Sequence, residues 1–226
     1  MSSSTDIWSN LSEPWRCCLE DAWQAYSHGS LPIAALVVDQ DGRIVARGRN
    51  RIHEAVGETG HLHGHILAHA ELNALMNLDH RRLDRHRSVF YSALEPCTMC
   101  LGAFYMSGLR QLRYAARDPY AGSVDMLGST TYLSKKQITV IGPENVTVED
   151  VLVALNVEAT LRDGHHDRAE FLVRQWNRAV PAGVALGRAL AAEKWFGREA
   201  QLWASFKDVL GELIPRGARV KGFTTC

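Results

Sequence analysis

Strands and helices alternate along the first two thirds of the chain, whereas only helical patterns follow. The stretch LPIAALVVDQDGRIVARGRN predicts two strands joined by a turn, because apolar stretches flank the turn-forming residues Asp39 to Gly42. A helix with Pro14 in its first turn precedes them. Further strands are predicted at residues 88–93, 111–116 and 137–142, and further helices at residues 68–79 and 97–107. The alternation predicts an α/β fold in which helices pack on a central sheet.

The pattern changes at about residue 146, where helical periodicity continues without any strand pattern. We therefore expect a domain at residues 1–145, with residues 1–11 as a loose tail, and a helical C-terminal extension at residues 146–226. Packing at a dimer interface or over the domain edge is the expected role of the extension. A lid or a specificity element is the alternative. Its large aromatic residues are expected in the core rather than in a base-stacking platform: Trp176, Trp195, Phe196 and Trp203.

Composition and charge limit the class of protein. The 226 residues are 46% hydrophobic and 22% charged, which is ordinary for a globular protein with a proper core. Lys and Arg together number 25 and so do Asp and Glu, and this zero net charge weighs against a large polyanionic partner. The N-terminus lacks the pattern of a signal peptide, and no apolar run approaches the ~18 residues that cross a membrane. We expect a cytoplasmic protein without a membrane partner.

Two of the five cysteines form a Cys-x-x-Cys pair, Cys97 and Cys100, directly after Pro96. Proline leaves Cys97 at the start of a predicted helix, where exposed amides and the helix dipole favour a thiolate. A redox pair, half of a structural zinc site and a catalytic metal site are all compatible with this spacing. An odd, clustered set of cysteines fits a reducing compartment better than a disulfide framework.

A structural zinc site normally needs four protein ligands, whereas a catalytic zinc site needs three and leaves one position to water. No second Cys-x-x-Cys is present, so Cys97, Cys100 and one histidine favour the catalytic type. His69 is the best-placed histidine because it lies at the start of another predicted helix. Glu71 points about 200° away around that helix and cannot grip the same ion from the same face. It can converge on a point beyond the helix end and carry protons there.

The segments His69-Ala70-Glu71 and Pro96-Cys97-Thr98-Met99-Cys100 resemble the signature HxE…PCxxC of the zinc nucleobase and nucleoside deaminases. The resemblance extends over residues 12–130, where GSLPIAALVV and ARDPYAG are similar to bacterial tRNA adenosine deaminases and guanine deaminases. It implies a cytidine deaminase-like fold, a three-layer α-β-α arrangement with a five-stranded mixed sheet, usually in a homodimer. It also implies one Zn²⁺ per chain, held by His69, Cys97 and Cys100, with water or hydroxide as the fourth ligand.

The same resemblance implies a mechanism and two substrate contacts. Water activated at zinc attacks a ring carbon that carries an exocyclic amine, and Glu71 protonates first the ring nitrogen and then the departing ammonia. Asn50 hydrogen-bonds the base or ribose, and the Ala70 amide reads the ring. We expect a hydrolase that deaminates a small aminated purine or a related nucleobase or nucleoside. A tRNA adenosine-to-inosine deaminase and a non-catalytic zinc-bearing scaffold are the alternatives.

Two basic or histidine-rich regions depart from the family pattern. The loop at residues 51–67 is long and contains four histidines, for which a second metal or a substrate contact is the alternative to a solvated loop: His53, His61, His63 and His65. The segment HRRLDRHR (80–87) is expected to be a solvated connection, with nucleic-acid contact as the alternative. Arg216, Arg219 and Lys221 add to that second possibility. The remaining cysteines are expected to have no functional role: Cys17, Cys18 and Cys226.

Overall fold

The computed structural model describes residues 4–57, 59–163 and 166–219. Within these ranges five strands form one sheet in the order β2-β1-β3-β4-β5. β1 is antiparallel to both β2 and β3, whereas β3, β4 and β5 are mutually parallel. The predicted five-stranded mixed sheet is therefore confirmed. The strands are β1 (Ala34–Val38), β2 (Ile44–Arg49), β3 (Val89–Leu94), β4 (Gln111–Ala116) and β5 (Thr139–Ile141).

Helices surround this sheet and make up the rest of the regular structure. None of those in the described ranges has both the length and the apolar character that a bilayer crossing requires. The helices are α1 (Ser4–Asn10), α2 (Glu13–Ser27), α3 (Ala70–Met76), α4 (Thr98–Ser107), α5 (Val146–Arg162), α6 (His166–Ala179), α7 (Pro181–Ala192), α8 (Trp195–Arg198) and α9 (Phe206–Gly217).

The prediction of a loose tail at residues 1–11 is wrong for the part of that tail that the structure describes. Residues 4–10 form α1, which buries Ile7 and packs against α9. The Trp8 and Phe206 rings lie 6.4 Å apart between these two helices. The partner of α1 is almost 200 positions away in the sequence, so local patterns could not reveal the apolar surface that holds it.

The contacts of two adjacent side chains in β3 show that helices cover both faces of the sheet. The Tyr91 ring makes an edge contact with Trp15 of α2, whereas the Phe90 ring packs against Phe104 of α4. Adjacent residues of a strand point to opposite faces, so α2 and α4 lie on opposite sides. α3 packs on β1 and β2 and beside α4. The sheet is thus the middle of three layers, as predicted.

Gly48 in β2 brings α3 close to the sheet. A Cβ atom at this position would collide with the backbone of Ala70 and Ala74 in α3. The absent side chain therefore fixes the depth of the helix whose N-terminus carries His69 and Glu71.

The C-terminal helices pack on the α2 side of the sheet. The Tyr26 hydroxyl of α2 donates to Glu158 of α5 over 2.5 Å, and Gly187 lets α7 approach the backbone of α5. Trp176 and Trp195 are buried, and Phe196 and Trp203 are partly buried against the same core, so the prediction that these aromatic residues belong to the core is confirmed. The division of the chain into two domains at residue 146 stays a prediction.

Candidate active site

Two helix N-termini on one side of the sheet bring three metal-ligand side chains together. His69 is the residue before α3 and Cys97 is the residue before α4, both with extended backbone, and Cys100 lies in the first turn of α4. The Nδ1 atom of His69 lies 3.8 Å from the Cys97 sulfur and 3.5 Å from the Cys100 sulfur. All three ligand atoms lie within 4.8 Å of one another.

These separations fit a tetrahedral zinc ion. With Zn–S at about 2.3 Å and Zn–N at about 2.1 Å, a tetrahedral nitrogen–sulfur pair is about 3.6 Å apart. The observed nitrogen–sulfur distances of 3.8 and 3.5 Å bracket that value. The described residues contain no other such cluster of three metal-binding side chains. His69, Cys97 and Cys100 can therefore hold zinc and leave its fourth position open.

The chemistry of the Cys97 sulfur also suits a cation. A hydrogen bond from the Cys100 thiol, aided by His69, lowers the pKa of Cys97 to about 4, although partial burial opposes the change. The same hydrogen bond and burial raise the pKa of Cys100. The hydrogen bond with Cys97 raises the pKa of His69 as well. Cys97 is thus a thiolate at neutral pH, which is the form that binds metals.

Glu71 lies beside this cluster and is only 3% exposed. Burial raises the pKa of its carboxyl group, while the charge of His69 works in the opposite direction. The Ser92 hydroxyl of β3 donates to Glu71 Oε1 over 3.4 Å. A raised pKa makes the protonated form of the Glu71 carboxyl group more accessible, which suits a residue that must both accept and donate a proton.

The two residues predicted to contact substrate are both buried. Asn50 is 1% exposed, and its Oδ1 accepts a hydrogen bond from the backbone N–H of Ile52. Its Nδ2 group is buried and lacks a partner among the described residues, which is costly unless another acceptor is supplied. Ala70 opens α3, so its N–H has no partner within the helix.

A loop after β4 borders the cysteines. Gly122 forms a β-bridge with Cys97, and the backbone N–H of Ser123 donates to the Pro96 carbonyl. The Glu95 carboxylate, half-buried, accepts from the backbone N–H groups of Asp118 and Val124 at 3.4 Å each. Sequence reasoning missed Glu95 as an anchor of this loop and Ser92 as a partner of Glu71. Ser92 could have been found as a candidate because it is a polar residue within an otherwise apolar strand pattern.

The histidine-rich loop lies beside the site without joining the metal cluster. Asn73 of α3 anchors it, because its Oδ1 accepts from the Leu62 N–H and its Nδ2 donates to the Leu62 carbonyl. The His65 ring accepts from the backbone N–H of Leu67 two residues later. None of the loop's four histidines belongs to the three-ligand cluster. A second metal at this loop is therefore unsupported by the described residues.

The basic segments are solvated or ion-paired. Most of residues 80–87 are exposed, as predicted for a connection. Arg216 forms ion pairs with Glu212 of its own helix and with Glu193 and Glu199 at the ends of neighbouring helices, and these carboxylates offset its charge. Lys221 and Cys226 lie outside the described residues.

The two cysteines of α2 lie away from this centre. Cys18 is buried in the core, where its thiol donates to the Ala34 carbonyl, and Cys17 is half-buried. Neither residue belongs to the metal cluster.

Comparison with known proteins agrees with this geometry. Residues 9–116 match the family model of the cytidine and deoxycytidylate deaminase zinc-binding region. The chain is 36% identical over 110 residues to a tRNA-specific adenosine deaminase of Agrobacterium fabrum. The aligned residues cover 47% of this chain and 66% of that enzyme. The chain is also 25% identical over 156 residues to a probable cytosine deaminase of Schizosaccharomyces pombe. The aligned residues cover 62% of this chain and 88% of that protein.

A solved structure shares the fold. The crystal structure of a protein in complex with 2,6-diaminopurine is 26% identical in sequence, with a TM-score of 0.52, over 69% of this chain and 85% of that one. The zinc-type ligand cluster, the mixed sheet and these matches agree. The chain belongs to the cytidine and deoxycytidylate deaminase family of zinc-binding proteins, whose members are hydrolases that act on C–N bonds.

Proposed function

We propose that this protein deaminates a small aminated purine or a related nucleobase or nucleoside, replacing an exocyclic amine with an oxo group and releasing ammonia. His69, Cys97 and Cys100 hold the zinc ion and Glu71 is the catalytic acid and base. The observation that carries the proposal is the buried Glu71 carboxyl beside three ligand atoms that lie within 4.8 Å of one another.

Glu71 moves two protons in this mechanism. When bound, zinc lowers the pKa of water towards ~7, which makes it a nucleophile at neutral pH. Glu71 takes one proton from the attacking water and delivers it to the ring nitrogen beside the attacked carbon. It then carries the second proton to the amine nitrogen, which leaves as ammonia while the carbon keeps the oxygen. The buried setting suits this exchange because burial raises the pKa of the Glu71 carboxyl group.

Asn50 and Ala70 orient the ring. The Asn50 Nδ2 group has no partner among the described residues, so it is available to donate to an acceptor on the base or ribose. The free N–H of Ala70 at the start of α3 can donate to the ring from the side of the metal. Binding through buried donors discriminates strongly, because a substrate without the matching acceptor leaves them unsatisfied.

Two observations favour a small purine. The structure solved with 2,6-diaminopurine is similar to this chain over 69% of its length. The formal net charge of the chain is zero, so the chain lacks the excess of basic residues that commonly accompanies RNA binding.

The second candidate is tRNA adenosine deamination, favoured by 36% identity to the Agrobacterium fabrum enzyme. Phosphate contacts would make that activity fall steeply with added salt, whereas turnover of a free base would barely respond.

We further propose a cytoplasmic homodimer. Met76 of α3 and Met106 of α4 are large exposed apolar side chains on two helices that pack side by side. A second subunit seated on these two helices would remove both side chains from water. The four cysteines within the described ranges are all free, which suits a reducing compartment.

Ammonia release from a panel of free bases, nucleosides and unmodified tRNA tests the proposal, with the zinc content of each sample measured. We expect turnover of an aminated purine or its nucleoside at one zinc per chain. Turnover of tRNA alone would favour the second candidate. A zinc-loaded protein that releases no ammonia from any of these would favour the scaffold alternative.

A further inference from the structure

We propose that a cavity beside the active site binds an apolar substituent of the substrate, so that the preferred substrate is a purine carrying an alkyl or aryl group rather than the bare base. This inference rests on the proposed function, because the reacting ring is assigned to the zinc site. It gives the C-terminal helices a role in substrate selection.

The cavity lies between the loop that follows Asn50 and the helices α5 and α6. It has a volume of about 460 Å³, within the range of small-molecule sites. Its apolar lining comes from three separate parts of the chain: Leu31, Ile52, Ile66, Ala159, Ala169 and Leu172.

Ile52 and Ile66 of the cavity lining lie close in sequence to the active-site residues Asn50 and His69. The backbone N–H of Ile52 donates to the Asn50 side chain over 3.2 Å. Ile66 lies three residues before His69, and the backbone N–H of Arg51 donates to the Ala68 carbonyl and so joins the two ends of the loop. A substituent on a ring held by Asn50 can therefore extend towards Ile52 and Ile66.

Helix α6 forms the opposite wall and also contacts the loop that borders the cysteines. The Phe171 ring makes an edge contact with Tyr120, with centroids 5.3 Å apart and planes at 86°. Tyr120 belongs to the loop that bonds to Cys97 through Gly122. α6 thus spans from the metal-binding side to the loop that follows Asn50.

The side chains of the cavity favour an apolar group over a phosphate. Ile66 is 74% exposed, and a bound apolar group would remove this apolar surface from water, which favours binding. The polar part of the lining is mixed, since Arg168 and His53 share the cavity with the Asp163 carboxylate and the Thr160 hydroxyl. A phosphate site would instead present several cations or converging backbone N–H groups.

The test compares two substitutions in the same loop. Ile66→Trp fills the cavity from an exposed position, and Val56→Trp, at a residue 84% exposed and outside the lining, is the matched control. Substrates are guanine and 2,6-diaminopurine, each bare or carrying a benzyl group at N7 or N9. The readout is the ratio of kcat/KM for the substituted base to that for the bare base.

We expect wild type to prefer at least one benzylated base, and Ile66→Trp to lower that ratio about 10-fold, as expected for steric loss in an apolar pocket. Val56→Trp should keep the wild-type ratio. Equal ratios in all three proteins, or a wild-type enzyme that rejects every benzylated base, would overturn the inference. Selective turnover of RNA would overturn it too.

A binding measurement tests the cavity assignment independently of the proposed catalytic activity. Binding of the same bases to zinc-loaded Glu71→Gln protein is measured by calorimetry, with and without Ile66→Trp. If wild type releases no ammonia, the proposed function fails. The cavity assignment still stands or falls on whether Ile66→Trp lowers the affinity for the benzylated base relative to the bare base.

Discussion

The zinc site and the cavity beside it are built in different ways. The metal ligands and Glu71 lie at the starts of two helices whose depth is fixed by buried backbone contacts, as at Gly48. The cavity lies between a long loop and the helices α5 and α6, and most of its lining side chains are partly or fully exposed. Chemistry that must hold atoms within a fraction of an ångström uses the rigid part. Selection among substrates, in our account, uses the part that can change without disturbing the core.

Removal of a metal ligand should have the largest effect. Cys97→Ser is expected to lose zinc and reduce ammonia release to background, and to lower the Tm, because metal binding contributes to folding. Cys17→Ser, a half-buried cysteine outside the cluster, is the control. Zinc content by atomic absorption and Tm by calorimetry check the prediction. Full zinc content in Cys97→Ser would remove this residue from the ligand set.

A methyl group under α3 should have the next largest effect. Gly48→Ala places a Cβ against the backbone of Ala70 and Ala74, and we expect a loss of about 1–3 kcal/mol in unfolding free energy from overpacking. Zinc affinity should fall as well, since His69 precedes the displaced helix.

Gly102→Ala is the matched control for that substitution. Nothing lies within 4 Å of a Cβ atom at Gly102 in α4, so alanine should raise stability by about 0.5–1 kcal/mol through its helix propensity. Denaturant titrations of the two variants give the comparison. If both behave alike, the close approach of α3 to β2 does not control the site.

The smallest effect should come from the contact that positions α6, the helix that forms one wall of the cavity. Phe171→Ala removes the edge contact with Tyr120, which is worth about 0.5–1.5 kcal/mol. We expect a several-fold higher KM with little change in kcat, and Phe171→Tyr should keep the wild-type KM. Steady-state kinetics distinguish the cases, and a fall in kcat at constant KM would place α6 closer to the chemistry than we propose.

Patterns within short segments predicted the parts of the molecule that local sequence determines. The five strands, the helix starts at His69 and Cys97, and the three-ligand cluster all follow from periodicity, proline placement and ligand chemistry. The motif also led to Glu71, whose burial beside the cluster the structure then showed.

Features that depend on residues distant in the sequence could not be predicted from local sequence patterns. Helix α1 is held by α9, and the contact of Ser92 with Glu71 depends on how α3 packs on the sheet. The cavity joins residues from 31 to 172. Such contacts arise from tertiary packing, which no local period encodes.

The most direct test of the central claim is the Glu71→Gln variant. Glutamine keeps the size and burial of the side chain but cannot carry a proton. We predict one zinc per chain, unchanged base binding, and ammonia release lowered by about 10²–10⁴-fold. Glu13→Gln at an exposed position should match wild type. Undiminished ammonia release from zinc-loaded Glu71→Gln would contradict the account.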